Sequence, residues 1–148
     1  MAAVAVLNPS VVPRYDSTKY DTPCHCPPSV RNLLEQARQG LLDAEYATRA
    51  VDRYAWAHRA ALRAAAAVLA ARARPRRATQ PTSAWALLAR VAPELAEWST
   101  FFAATSATRA AVEAGAHRLV NDRDADDLVR QAGQFLTLAA HAATKTSR

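Results

Sequence analysis

The chain has 148 residues, 51% of them hydrophobic, which suffices for one domain with its own core and no disulfide or metal staples. With only 3 glycines it has no loop to cradle a phosphate, and with no sustained period-two alternation it has no sheet. The net charge of +6 rests on 17 arginines and 2 lysines, a balance that suits nucleic-acid contact and a basic solvated surface equally well.

Residues 1–28 read as a disordered tail. Pro9, Pro13, Pro23, Pro27 and Pro28 break any helical period, and Tyr15 and Tyr20 are the only candidate anchors for a partner on which the segment could fold. The opening run has no basic residue before it and is interrupted by prolines, so it does not read as a signal peptide. Cys24-His25-Cys26 puts three ligand types in a row, but a structural zinc site draws four ligands, usually from two places, and no second pair follows. No metal and no cofactor is expected. The two cysteines are too close for an ordinary disulfide, which points to a reducing cytoplasm, and no apolar run is long enough to span a membrane.

The bundle is expected over residues 29–143, with a short disordered tail at 144–148. Its first helix, from about Ser29 to Thr48, carries Val30, Leu33, Leu34, Ala37, Leu41 and Ala44 on one stripe, with Ser29 as cap. A short link makes the next helix its antiparallel neighbour. That next helix, residues 52–74, organises the chain. Asp52 is a candidate N-cap, and Pro75 stops the helix after Arg72 and Arg74. Tyr54, His58, Ala61, Leu62, Ala65, Val68 and Leu69 form its core face, while Trp56, Arg59, Arg63 and Arg74 lie opposite. Ala60, Ala64, Ala67 and Ala71 form a small-residue ridge that lets a neighbour, or a second copy of the chain, come close.

Residues 75–82 form a basic loop with Arg76 and Arg77. Thr82 or Ser83 caps a helix carrying Trp85, Leu88 and Val91, and Pro93 starts another short one carrying Leu95, Trp98 and Phe102. The aromatic cluster Trp85, Trp98, Phe101 and Phe102 reads as core. A further short helix from Thr105 is closed by Gly115, a turn follows, and the last helix is capped by Asn121 or Asp122, with Ala125, Leu128, Val129, Ala132, Phe135, Leu136 and Ala139 facing inward. The acids Asp122, Asp124, Asp126 and Asp127 suit that helix start and do not enclose a cation. The fold class is all-α, a bundle of five or six helices around the long central one.

Two constellations on the central helix could carry function. Arg53 and His58 could serve RNA cleavage, the histidine moving the 2′-hydroxyl proton and the arginine steadying the phosphate; five helical steps, however, turn them about 140° apart, and His58 falls on the apolar face, where a satisfied core histidine is the plainer reading. The face with Trp56, Arg59 and Arg63 could stack on bases and hold phosphates, could form a protein interface, or could simply pack on a neighbouring helix.

The run YAWAHRAALRAAAAVLAARARPRR, followed by SAWALLARVAPELAEWSTFFA, resembles the actinobacterial branch of the HEPN superfamily over roughly residues 29–140. The resemblance implies a helical bundle that is often a homodimer. Some relatives act on RNA and others are non-catalytic binding domains. Active relatives carry an arginine followed four to six residues later by a histidine, a spacing that Arg53 and His58 match; here the residue after the arginine is Tyr54, often polar in active relatives, and the pair lies on the second helix instead of a later one. The expectation is therefore a cytoplasmic, homodimeric, non-catalytic interaction module for a protein or nucleic-acid partner, with Trp56, Arg59, Arg63, Arg76 and Arg77 as binding residues. The alternative is a metal-independent ribonuclease using Arg53 and His58.

Overall fold

The computed structural model describes residues 26–72 and 83–145. Five α-helices follow one another: α1 (Pro28–Tyr46), α2 (Ala50–Arg72), α3 (Ala84–Val91), α4 (Ala96–Glu113) and α5 (Asp122–Thr144), with 3₁₀ turns at Pro93–Leu95 and His117–Leu119. No strand occurs among the described residues, and none of their helices is long and apolar enough to cross a membrane. The fold is the all-α bundle expected of the sequence. The tail tyrosines, Cys24, His25, Arg74, Arg76 and Arg77 lie outside the described residues.

α2 is the central helix. It packs against α1 and α5 along its length and against α3 and α4 over shorter stretches. Ala57, Ala60, Ala61, Ala64, Ala65 and Ala67 are each at most 2% exposed. The alanine ridge is thus consumed inside one chain, and a dimer built on Ala60, Ala64 and Ala67 is ruled out, because small side chains let α1 and α5 close over that face. Cys26 is buried in the same core beside Val30 and Leu34.

Several helix ends differ from the sequence reading. α1 starts at Pro28, its N-cap is Pro27, and no side chain caps it, so Ser29 does not have that role. A proline in the first turn needs no N–H partner and supplies the helical φ. α2 begins at Ala50, which places Asp52 inside the first turn, where its charge faces the positive end of the dipole. The helices flanking Ala92 meet as expected, and Ser83 caps α3 by accepting the Ala86 N–H. The helix after Pro93, however, does not break before Thr105. α4 is one helix of 18 residues, because Thr105 and Ser106 turn their hydroxyls back onto the Phe102 carbonyl at 3.0 and 2.9 Å. Polar side chains that bond back along the helix leave its ladder intact.

α4 ends in a Schellman motif. Gly115 N–H donates to the Val112 carbonyl at 3.0 Å and Ala116 N–H to the Ala111 carbonyl at 2.9 Å. Gly115 has φ 109°, a region that side chains with a Cβ avoid. Although nothing crowds the site, Gly115→Ala is expected to lower stability by about 1–2 kcal/mol through backbone strain alone, read as a shift in urea midpoint. At α5, Asn121 and Asp124 form a reciprocal capping box.

The core centres on aromatic rings from three helices, α3, α4 and α5. Trp85 stacks on Phe102 with centroids 4.9 Å apart, and Phe135 meets both at a tilt. Phe101 forms the rim of this cluster, its ring edge-on to Phe102 at 5.0 Å while the residue stays 37% exposed, because it lies one helical step from Phe102. Arg72 ties the far end of the bundle together: it pairs with Glu94 and donates to the Ala142 carbonyl of α5 at 3.3 Å. Glu94 is held below the usual carboxylate range by its own backbone N–H and then by Arg72.

Candidate partner-binding groove

Arg53 and His58 face different parts of the bundle. His58 is 1% exposed, with its ring edge-on to Trp85 and Phe102 at centroid distances of 5.9 and 5.8 Å. Its Nε2 lies 3.1 Å from the Phe102 carbonyl oxygen. A carbonyl only accepts, so Nε2 carries the proton and Nδ1 is the bare nitrogen. Nδ1 is buried without a partner. Burial pushes the His58 pKa down; the Phe102 carbonyl opposes the shift, and Arg109 adds to it. The ring is a neutral core element with no opening to a cleft.

Arg53 points toward the opposite end of the bundle. Its guanidinium donates to the carbonyls of Ala47 and Thr48 at 3.4 and 3.1 Å, where α1 has ended, and pairs with Asp122 at 3.0 Å and Asp126 at 3.3 Å at the start of α5. The side chain is 12% exposed. It joins the negative end of one helix to the acids that begin another, and these contacts occupy the fork a phosphate would need.

Trp56, Arg59 and Arg63 do come together. They line a groove of about 650 Å³ between α2 and the second half of α1, whose opposite wall is Gly40, Asp43, Tyr46, Ala47 and Thr48. Trp56 is 42% exposed and Tyr46 83%. The Arg59 Nε donates to Glu113 of α4 at 2.8 Å, which fixes the arginine stem across the helix pair. The end of the Arg63 side chain passes beside Gly40: a Cβ there would sit 3.4 Å from its Nη1. Arg63 has no ion pair among the described residues. Asp52 lines the other end of the groove and meets Arg49 only loosely, at 3.9 Å.

The sequence reading missed the α1 wall. Gly40 faces α2, where a Cβ would stand 3.6 Å from that of Ala60, and Tyr46 stands exposed at the end of α1; neither marks a groove wall until α1 and α2 are in register. It also missed the tie of Arg59 and Arg109 to Glu113, at 2.8 and 2.9 Å, which spans α2 and α4. Among the described residues no group of histidine, cysteine and acidic side chains is placed to hold a metal ion.

The described residues form an all-α bundle of five helices, the architecture of a HEPN-like domain. The model of the SAV_6107-like HEPN family matches residues 44–140, and the chain belongs to that family. No curated protein and no solved structure matches it.

Proposed function

We propose that this chain is a non-catalytic HEPN-type interaction module, cytoplasmic, and that the α1–α2 groove with Trp56, Arg59 and Arg63 is its working surface for a macromolecular partner. The observation that carries this reading is the contrast between the two constellations. His58 is sealed and the free lone pair of its Nδ1 is buried, while Trp56 stands exposed and Arg63 has no ion pair among the described residues. A general base must reach the proton it abstracts, within about 3 Å or through one water. An exposed tryptophan beside arginine is the kind of pair that anchors an interface.

The test is incubation of the purified chain with labelled RNA in the presence of a metal chelator, beside titration of a labelled oligouridylate. No cleavage is expected, from wild type or from Arg53→Ala and His58→Ala. Metal-independent cleavage that disappears in a folded His58→Ala variant would sink the reading and restore the ribonuclease. If the oligouridylate binds and Trp56→Ala weakens it about tenfold, nucleic acid is among the partners of the groove.

A further inference from the structure

The groove has a direction. Its α2 wall runs Asp52, Trp56, Arg59, Arg63, at steps of four, three and four residues, so these side chains leave one face of the helix. An acid stands at one end, an indole in the middle and an arginine at the other end. Asp43 adds a second acid from α1, and Glu113 holds Arg59. Among the described residues Arg63 has no ion pair, and Asp52 has only the loose contact with Arg49. The arginine end points toward the start of α1. Gly40 lies beside Ala60 and the tip of Arg63, which fixes the register of the antiparallel pair. Measured along α1 from Pro28, the Arg63 tip stands at about 18 Å, Trp56 at about 24 Å and Asp52 at about 30 Å. Beyond Arg63 the α2 face continues as Ala66 and Ala70, whose small side chains leave the way to the start of α1 open.

Residues 1–25 join the bundle through Cys26, which is buried in the core at the start of α1. Pro27 has φ −53° and ψ 145°, the polyproline geometry, and it stands between Pro23 and Pro28 in the sequence. At about 3.1 Å per residue in that geometry, Asp21, Tyr20 and Lys19 reach about 22, 25 and 28 Å from Pro28. These are the heights of Arg63, Trp56 and Asp52, and the chemistry matches in the same order: acid to arginine, ring to ring, cation to acid. Arg14-Tyr15-Asp16 repeats the pattern, but at about 37–43 Å it overshoots the groove. We propose that Lys19-Tyr20-Asp21 occupies the groove of its own chain, with Asp21 on Arg63, Tyr20 against Trp56, and Lys19 on Asp52 and Asp43. The groove is net neutral, Asp43 and Asp52 offsetting Arg59 and Arg63, and the triplet brings one charge of each sign. A short tether holds the segment at an effective concentration on the order of millimolar, so a weak contact fills the groove. A partner reaching Trp56 must then displace it. The inference rests on the reading of the groove as the working surface and names what gates it.

Nitrogen-15 relaxation of the full chain tests it with charge reversals. Backbone order parameters at Lys19, Tyr20 and Asp21 should stand near about 0.8 in the wild type, with nuclear Overhauser contacts between the Tyr20 ring and the Trp56 indole. Arg63→Asp and Asp21→Arg each set like charges against each other, and each should drop the order parameters below about 0.6. Asp21→Arg/Arg63→Asp together restore opposite charges and should return the order. Trp56→Ala and Tyr20→Ala should release the segment, and Tyr15→Ala should not. Circular dichroism melts confirm that every variant is folded. Wild-type values below about 0.6 overturn the inference, as does a segment indifferent to both single reversals, or a double variant no better than the singles. Release by Tyr15→Ala and not by Tyr20→Ala overturns it too. So does order that is lost on dilution, which would put the segment of one copy on another. A free segment beside a groove that binds oligouridylate through Trp56 removes only this occupant and leaves the interaction-module reading standing. RNA cleavage dependent on His58 removes that reading itself.

Discussion

His58→Ala is expected to lose about 3 kcal/mol of stability and no catalytic activity, because the buried ring packs edge-on against the stacked Trp85 and Phe102 and its removal leaves a cavity beside them. The Phe102 carbonyl would not be orphaned, since it still accepts from Thr105 and Ser106. His58→Leu should therefore cost clearly less than His58→Ala, the lost volume being the main term. The pH dependence separates a core histidine from any other. Burial holds the folded-state pKa below the ordinary value of about 6.5 that the unfolded chain shows. Above that value the ring is neutral in both states and the stability is fully present. As pH falls through about 6.5 the unfolded chain takes up a proton that the folded chain refuses, so stability drops by up to about 1.4 kcal/mol per pH unit until the folded pKa is reached. His58→Leu should flatten this part of the profile between about pH 7 and 5. Urea melts at a series of pH values measure it, and equal acid sensitivity in wild type and His58→Leu would rule out the closed neutral ring.

Arg53→Ala is the other large effect, at about 2 kcal/mol. Removing one partner of a fully buried pair costs about 3–5 kcal/mol, but here Asp122 and Asp126 are 82% and 69% exposed and water can take over their solvation. The Thr48 carbonyl is likewise near solvent. What is lost is the joint between the end of α1 and the start of α5, so the damage should be local: hydrogen exchange should rise at residues 44–50 and 121–126 before it rises in the Phe102–Phe135 core. Arg53→Lys keeps the charge and loses the fork, and should recover less than half of the loss. A loss below about 0.5 kcal/mol, or uniform loosening of the whole bundle, would mean that the joint contributes nothing specific.

How much of this could be read from residue order differs from element to element. Helix existence, the core stripes of α1 and α5, the junction at Ala92 and the Gly115 stop are local facts, set by periodicity, proline and glycine, and they stand in the structure. The break expected before Thr105 failed because a threonine and a serine read as helix-weakening, and only the neighbouring Phe102 carbonyl shows that their hydroxyls have a place within the ladder. The alanine ridge reads as an open face in a lone helix; that it is a buried one depends on α1 and α5 closing from two sides.

The sequence alone determined an all-helical chain, its central helix, an apolar setting for His58, and Trp56, Arg59 and Arg63 on the outward side of that helix. These follow from a 100° turn per residue and need no partner helix. The tertiary structure decided what those residues face. It seals His58 under Trp85 and Phe102, spends Arg53 on the ends of α1 and α5, and sets Tyr46 and Gly40 opposite Trp56 and Arg63 to make a groove. Those outcomes depend on the register and facing of helices far apart along the chain, which many packings of equal local propensity could satisfy, and only the packed core selects one.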